Sequence, residues 1–189
     1  RELLRTRLSL TDAEVDKVER FQPAGARATV EPKLTWLQTR LELDAAQLGK
    51  MILRLPPLLT KNVQSMDSSL DWLQRRLGLD EAQLRKMVLR VPPLLHYSVE
   101  DNMAPKLEWL QSRLDLDAAQ LKKVVVALPS LMGYSVEDNI EPKLAYLERE
   151  IGLSRPVLRE HVLTTPAILG YSLEKRYRPR LEACRAAGV

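Results

Sequence analysis

Apolar residues recur along the chain with the period of an α-helix. In the segment 107–114 they stand at positions 107, 110 and 114, which places them on one stripe of a helix. A second stripe follows at Leu121 and Val124. Between the two stripes, Asp117 and Gln120 have the spacing of a capping box, in which the two residues satisfy each other's backbone N–H groups. The pattern therefore predicts two consecutive helices, the second beginning after Asp117.

A proline follows the second helix. The residue before a proline avoids the helical backbone, so the helix is expected to end at Leu128, just before Pro129. The fixed φ of proline suits the first turn of a short helix at 130–133, and Ser135 is the expected N-cap of the next long helix. Further prolines in that long helix either kink it or mark its true first turn. They are Pro32, Pro105, Pro142 and Pro179.

The same arrangement recurs every 36–37 residues. The helix-ending prolines are Pro56, Pro92, Pro129 and Pro166, at intervals of 36, 37 and 37 residues. An aromatic residue stands 20 positions before each, namely Trp36, Trp72, Trp109 and Tyr146. The N-terminal segment fits the frame at an offset of 69 residues, which places Leu3 on Trp72 and Pro23 on Pro92. A period of this length is typical of stacked units that cover one another's apolar faces.

We therefore predict an all-α fold, a helical-repeat solenoid whose superhelix has either hand, with two long helices and a short third helix per repeat. One array is expected over residues 1–189, with a partial first repeat at 1–23, repeats closing at about Pro56, Pro92, Pro129 and Pro166, and a terminal helix at 172–188. Because the array opens inside a repeat and without a methionine, we expect an excerpt of a longer protein. Tetratricopeptide and pentatricopeptide arrays, with periods of about 34–35 residues, fit less well because neither needs a proline after its second helix.

The combined frame resembles the repeat of the mitochondrial transcription termination factor (mTERF) family. It reads Pro-x-Leu-Leu-x-Tyr-Ser-Val-Glu-Asp-Asn, then Pro-Lys-Leu-x-Trp-Leu, then Leu-x-Leu-Asp, then Leu-Pro, and it covers residues 1–183. The copy with Trp36 has a degraded lead-in at 23–30, and the copy with Trp72 has Ser68 in place of proline. The resemblance implies a curved superhelix of three-helix repeats. It implies that a transit peptide directs the protein to mitochondria or chloroplasts. It also implies binding to DNA or RNA along a basic surface, in transcription termination or regulation, RNA maturation or ribosome assembly.

Composition admits such a role. The 29 Lys and Arg residues outweigh 25 Asp and Glu residues, for a net charge of +4, which permits a nucleic-acid partner without requiring one. Because no run of about 18 apolar residues occurs, we expect no membrane-spanning helix. The single cysteine, Cys184, excludes an internal disulfide framework and agrees with a reducing compartment.

Residues suited to catalysis are scarce. The sequence has no His/Cys/Asp cluster, no glycine-rich phosphate loop and no cysteine pair for zinc. His161 shares the repeat position of Met51, Met87 and Val124 and is expected in the core, whereas His96 falls at a turn. We predict a protein that is not an enzyme and that holds no cofactor or metal.

Basic residues recur at fixed repeat positions. Lys86 and Arg90 lie roughly opposite the core stripe of their helix, and equivalent residues appear in neighbouring copies. Since packed helices lie about 8–10 Å apart, each position would form a row of charges that can follow a nucleic-acid backbone through phosphate contacts. The predicted nucleic-acid contacts are Lys33, Arg40, Lys50, Arg54, Arg76, Arg85, Lys86, Arg90, Lys106, Arg113, Lys122, Lys123, Lys143, Arg159, Arg176, Arg178 and Arg180.

Aromatic residues offer a sharper hypothesis. Trp109 stands between Lys106 and Arg113 on one helix face and could stack on an unpaired base, although Leu3 and Tyr146 at the same repeat position favour packing. The recurring tyrosines Tyr97, Tyr134 and Tyr171 are expected to seal turns against the adjacent repeat. We predict a monomer that binds DNA or RNA, with double-stranded nucleic acid favoured and organellar transcription or ribosome-assembly proteins as further candidate partners. The alternative is a protein-interaction scaffold without nucleic-acid binding.

Overall fold

The regular secondary structure is helical throughout the part of the chain that the computed structural model describes, residues 2–21 and 27–188. The predicted all-α helical-repeat fold is thereby confirmed. Pro23, aligned with the helix-ending prolines, lies outside the described residues. The α-helices of the described part are α1 (Glu2–Leu8), α2 (Asp12–Glu19), α3 (Arg27–Arg40), α4 (Ala45–Arg54), α5 (Val63–Leu77), α6 (Glu81–Arg90), α7 (Ala104–Leu114), α8 (Ala118–Ala127), α9 (Glu141–Glu150), α10 (Arg155–Thr164) and α11 (Arg178–Ala186).

The second helices α4, α6, α8 and α10 end just before a proline, as predicted. Leu128, the last residue before Pro129, has φ −128° and ψ 69°, outside the helical region. A short 3-10 helix starts at each of these four prolines, because the fixed φ of proline suits a first helical turn. These helices are Pro56–Thr60, Pro92–Leu95, Pro129–Gly133 and Pro166–Gly170.

Capping boxes begin the second helices and set a common register. Asp44, Asp80 and Asp117 each accept a hydrogen bond from the backbone N–H three residues later, and the glutamine there accepts from the cap's own N–H. Thr11 forms the same box in α2 with Glu14. At the start of α10, Ser154 makes no side-chain cap bond, in keeping with its different sequence. In the four helices that have a capping box, α2, α4, α6 and α8, residues at the same distance from the cap therefore lie on the same face of the helix.

The prolines of the first helices occupy two kinds of position. A π-helical turn precedes α7, α9 and α11, and Pro105, Pro142 and Pro179 are the second residues of those helices. A proline ring in a regular α-helix collides with the carbonyl four residues earlier, and the wider turn gives it room. Pro32 lies inside α3 instead. The three turns are Val99–Met103, Val136–Ile140 and Leu173–Tyr177.

The chain divides into two compact units, and the first is Arg1–Val99. In it α1, α2 and α3 pack against α4. Leu48 and Leu84, which share one repeat position, are completely buried. Helix α4 also approaches α1 very closely, since a Cβ at Gly49 would lie 2.4 Å from the carbonyl oxygen of Leu8. Glycine is therefore required where these two helices meet.

The second unit is Glu100–Val189. In it α10 packs against α7, α8 and α9, and Leu121 and Leu158 are completely buried. The expectation that His161 lies in the core is wrong, because its side chain is exposed. In the first unit the equivalent Met51 lines a groove with Leu89 of the next second helix. No further second helix follows α10 among the described residues, so nothing covers His161.

No helix in the described part of the chain has both the length and the apolar character needed to cross a lipid bilayer.

Candidate nucleic-acid interface

Two of the lysines predicted to contact phosphate are buried in the second unit. Lys106 is 6% exposed, and its Nζ donates to the carbonyl oxygen of Met132 at 2.5 Å and to Asn102 Oδ1 at 3.3 Å. Lys143 is 5% exposed and donates in the same way to the carbonyl oxygen of Leu169 at 2.8 Å. Burial lowers the pKa of both ammonium groups. Each lysine therefore ties a first helix to the 3-10 helix of its own repeat.

Lys33 makes the equivalent link between a first helix and a 3-10 helix in the first unit. Its Nζ donates to the carbonyl oxygen of Leu59 at 2.6 Å, and burial again lowers its pKa. Ser69 stands at the same position of the following repeat. Because their ammonium groups are used inside a repeat, Lys33, Lys106 and Lys143 do not belong to the interface that we propose below.

The first-helix arginines join one repeat to the next. Arg113 on α7 pairs with Glu148 at 2.6 Å and Glu141 at 2.8 Å, both on α9. The hydrogen bonds that Arg113 donates to Glu148 and Glu141 hold its pKa above its ordinary value. Arg40 on α3 acts likewise in the first unit. Its carboxylate partners lie at 2.8–3.0 Å and are Asp67, Asp71 and Glu81.

Basic residues beside the core stripe of the second helices are also engaged. Arg85 pairs with Glu42 at 2.8 Å, and Arg159 donates to Gln120 Oε1 at 2.8 Å. The side chains of two further predicted contacts are half-buried, namely Arg76 and Lys122. Arg85 and Arg159 therefore link neighbouring elements of the structure.

The C-terminal arginines differ from one another. Arg176 stacks on Tyr171, with 3.5 Å between its guanidinium carbon and the ring centre. Arg178 pairs with Glu174 at 2.9 Å. Arg180 is exposed and forms no hydrogen bond or ion pair within the described residues. Of the three, Arg180 is the one whose charge is fully available.

The lysines on the outer face of the second helices are all available. Lys50, Lys86 and Lys123 are exposed and have no hydrogen bond or ion pair in the described part of the chain. Each stands six residues after the cap of its helix. Lys17 occupies the same place after Thr11 and is exposed too. Sequence reasoning missed Lys17, although the offset of 69 residues that aligns the first repeat places it on Lys86.

In the first unit, arginines accompany this row of lysines. Arg54 is exposed and donates to the carbonyl oxygens of Leu89 and Arg90, at 3.2 and 3.3 Å, at the end of α6. Lys50 and Arg54 line a groove of about 340 Å³ whose far wall includes Leu89. Arg90 is exposed as well. Lys17, Lys50, Arg54, Lys86 and Arg90 thus give successive second helices of one compact unit a basic outer face, which we call the second-helix row.

Of the recurring tyrosines, Tyr134 packs at its turn as expected. The hydroxyl of Tyr134 lies 3.5 Å from where a Cβ of Gly170 would stand, and 3.4 Å from Ser130 Oγ. Tyr134 therefore touches the turn of the following repeat. Trp109 is half-buried, and the two cations that flank it in sequence are bound elsewhere, which weakens the base-stacking hypothesis.

No group of three histidine, cysteine, aspartate or glutamate side chains among the described residues is placed to hold a metal ion. No curated protein matches the chain. The family model of mTERF matches residues 15–189, from α2 to the C-terminus. That span contains the repeated prolines, the capping boxes of α4, α6 and α8, and the whole second-helix row. The chain therefore belongs to the mTERF family.

Proposed function

We propose that this chain is an organellar nucleic-acid-binding protein whose second-helix row contacts backbone phosphates. Membership of the mTERF family indicates a nucleic-acid-binding, non-enzymatic role in an organelle. The observation that carries the proposal is the repetition of an exposed lysine at one position of successive second helices, Lys17, Lys50 and Lys86.

Electrostatics supports this use of the row. The helices that carry the three lysines belong to one unit, α2 packs against α4, and packed helices lie about 8–10 Å apart. Like charges held at such a spacing repel one another, and no acidic side chain neutralises Lys50 or Lys86 within the described structure. A polyanion removes that repulsion and gains entropy by releasing its own counterions.

The rigidity of the row favours a duplex. Its side chains project from helices whose caps fix their register, so the charges form a preset array that suits the regular backbone of double-stranded DNA or RNA. Single-strand binders instead place exposed aromatic rings among free cations, whereas the cations beside Trp109 are engaged. We propose a role in transcription termination or regulation, or in RNA maturation, in the mitochondrion or chloroplast. In this proposal the chain acts as a monomer, alongside organellar transcription or ribosome-assembly proteins.

Fluorescence anisotropy with labelled duplex DNA, duplex RNA and single strands tests the proposal. Replacing Lys17, Lys50 and Lys86 by alanine should weaken duplex binding by about 3–150-fold, since each exposed ionic contact contributes about 0.2–1 kcal/mol. As a matched control, a second triple variant replaces three exposed arginines outside the row by alanine and should bind duplex like the parent. These arginines are Arg75, Arg149 and Arg155. Equal losses in the two variants would show that net charge, not the row, drives binding. No binding to any nucleic acid at low salt would leave the interaction scaffold as the better account.

A further inference from the structure

An open pocket of about 580 Å³ lies in the second unit, beside the start of α7 and the turn after Pro129–Gly133. Trp109 and Tyr134 line it with half-buried rings, and Asp101 and Glu137 contribute exposed carboxylates. Its volume falls in the range of about 300–1,000 Å³ that is usual for ligand sites. The pocket is therefore large enough for a long side chain together with the backbone that carries it.

The charge of the pocket is opposite to that of the second-helix row. Lys106 also lines it, but its ammonium group is held by the Met132 carbonyl and Asn102. The exposed charges are the carboxylates of Asp101 and Glu137, which would repel a phosphate. Aromatic faces next to carboxylates suit a guanidinium group, which stacks on a ring and pairs with an acid at the same time.

The following repeat shows this arrangement with an arginine in place. Tyr146 and Glu174 stand 37 residues after Trp109 and Glu137. There the guanidinium carbon of Arg178 lies 5.4 Å from the centre of the Tyr146 ring, and its Nε donates to Glu174 at 2.9 Å. The chain's own arginine thus fills the equivalent of the open pocket.

A second arginine covers the other ring of that repeat. Tyr171, which corresponds to Tyr134, carries Arg176 at 3.5 Å from its ring centre. In the open pocket the positions corresponding to the two arginines are Asn139 and Glu141. Neither can supply a cation, and the cation over the Tyr134 ring is the buried ammonium of Lys143, 5.2 Å from the ring centre. No described arginine of the chain takes the equivalent place over Trp109.

We propose that this pocket binds an arginine side chain from a basic segment of a protein partner. The guanidinium stacks against the Trp109 ring and pairs with Glu137, as Arg178 does with Tyr146 and Glu174. The site adds a protein-docking function to the nucleic-acid-binding one. Because it uses acidic residues outside the second-helix row, the two functions are separable by mutation.

An NMR titration with the peptide acetyl-Gly-Arg-Gly-amide tests this proposal. The matched probe replaces arginine by citrulline, which has the same shape without the charge. We expect a saturable shift of the Trp109 indole N–H signal, assigned with Trp109→Phe, and binding of the arginine peptide at least about fivefold tighter than that of the citrulline peptide. Glu137→Gln should weaken the arginine peptide by about fivefold. Glu108→Gln, which removes an exposed carboxylate beside the pocket lining, should leave it unchanged.

Equal binding of the two peptides, an unmoved Trp109 signal or full affinity in Glu137→Gln would each overturn the proposal. A Trp109 shift produced by single-stranded RNA but not by the arginine peptide would overturn it as well and assign the pocket to nucleic acid. None of these results bears on duplex binding by the second-helix row, which the lysine variants report independently.

Discussion

Replacing Arg113 by methionine should destabilise the second unit by about 2 kcal/mol. The guanidinium of Arg113 makes four hydrogen bonds to Glu141 and Glu148, at 2.6–3.2 Å, and its side chain is 13% exposed. Methionine keeps the packing of the stem and removes the charge. Exposed ion pairs contribute about 0.2–1 kcal/mol, while breaking a buried pair costs about 3–5 kcal/mol. The two carboxylates are 39% and 27% exposed and can be rehydrated, so we expect a value between these ranges.

Urea unfolding followed by circular dichroism measures this loss, with Arg149→Met as the control. Arg149 is exposed on α9 and makes no hydrogen bond within the described structure, so its replacement should cost less than about 0.5 kcal/mol. A loss in Arg113→Met no larger than that of the control would refute the idea that this arginine couples two repeats.

The pH dependence of the loss provides a second check. The hydrogen bond from Arg113 lowers the pKa of Glu148 from its ordinary value of 4.5. A carboxyl whose folded-state pKa is lowered stabilises the fold above its unfolded-state pKa, and this contribution disappears as pH falls through the folded-state value. The difference between parent and Arg113→Met should therefore be largest near neutral pH and shrink below pH 4.5. A difference that grows towards acid pH would contradict this linkage.

Three further substitutions test other parts of the structure. Lys106→Met leaves the Met132 carbonyl without its ammonium donor. The urea concentration at the unfolding midpoint should therefore fall, while the duplex affinity measured by anisotropy stays unchanged. A loss of affinity without a loss of stability would show that Lys106 belongs to the interface. Gly49→Ala places a methyl group against the carbonyl of Leu8 and should destabilise the first unit by about 1–3 kcal/mol, and an unchanged thermal midpoint would show that α1 and α4 separate freely. Asp117→Ala removes the cap of α8 and should cost about 1 kcal/mol in urea unfolding, whereas no loss would mean that water replaces the cap.

Local chemistry made the repeat predictable. A proline sets the geometry of the residue before it, and an Asp-x-x-Gln spacing sets the start of a helix, so Pro129 and Asp117 act through their immediate neighbours in sequence. The burial of Leu121 follows from helical period alone. Since each repeat encodes these signals again, the boundaries of α4, α6 and α8 could be predicted without knowledge of tertiary contacts.

The role of each basic residue could not be predicted in the same way. The helical period shows that the Lys106 side chain points away from the apolar stripe of its helix. Its acceptor is the backbone carbonyl of a residue 26 positions later, and a backbone carbonyl cannot be recognised from the sequence. A usable signal existed for the arginines, because Arg113 and Glu148 stand 35 residues apart, about one repeat. Glu150 and Arg185 have the same separation with the charges exchanged, and they pair at 3.2 Å. Searching for complementary charges one repeat apart would have removed Arg113 from the expected interface.

Packing between repeats was the remaining source of error. The prediction for His161 assumed that every second helix is followed by another, whereas burial at that repeat position depends on the next repeat. Ile151 also departs from its repeat position, since it is 43% exposed although Leu41, Leu77 and Leu114 at that position are buried.

The salt dependence of duplex binding tests the central claim most directly, because its slope counts the phosphates that the protein contacts. Contacts by Lys17, Lys50, Arg54, Lys86 and Arg90 predict that the logarithm of the association constant falls with the logarithm of salt concentration with a slope of about −4.5. Removing Lys17, Lys50 and Lys86 should bring the slope to about −2. A parent slope near −1, or a slope that the triple variant leaves unchanged, would contradict binding through the second-helix row.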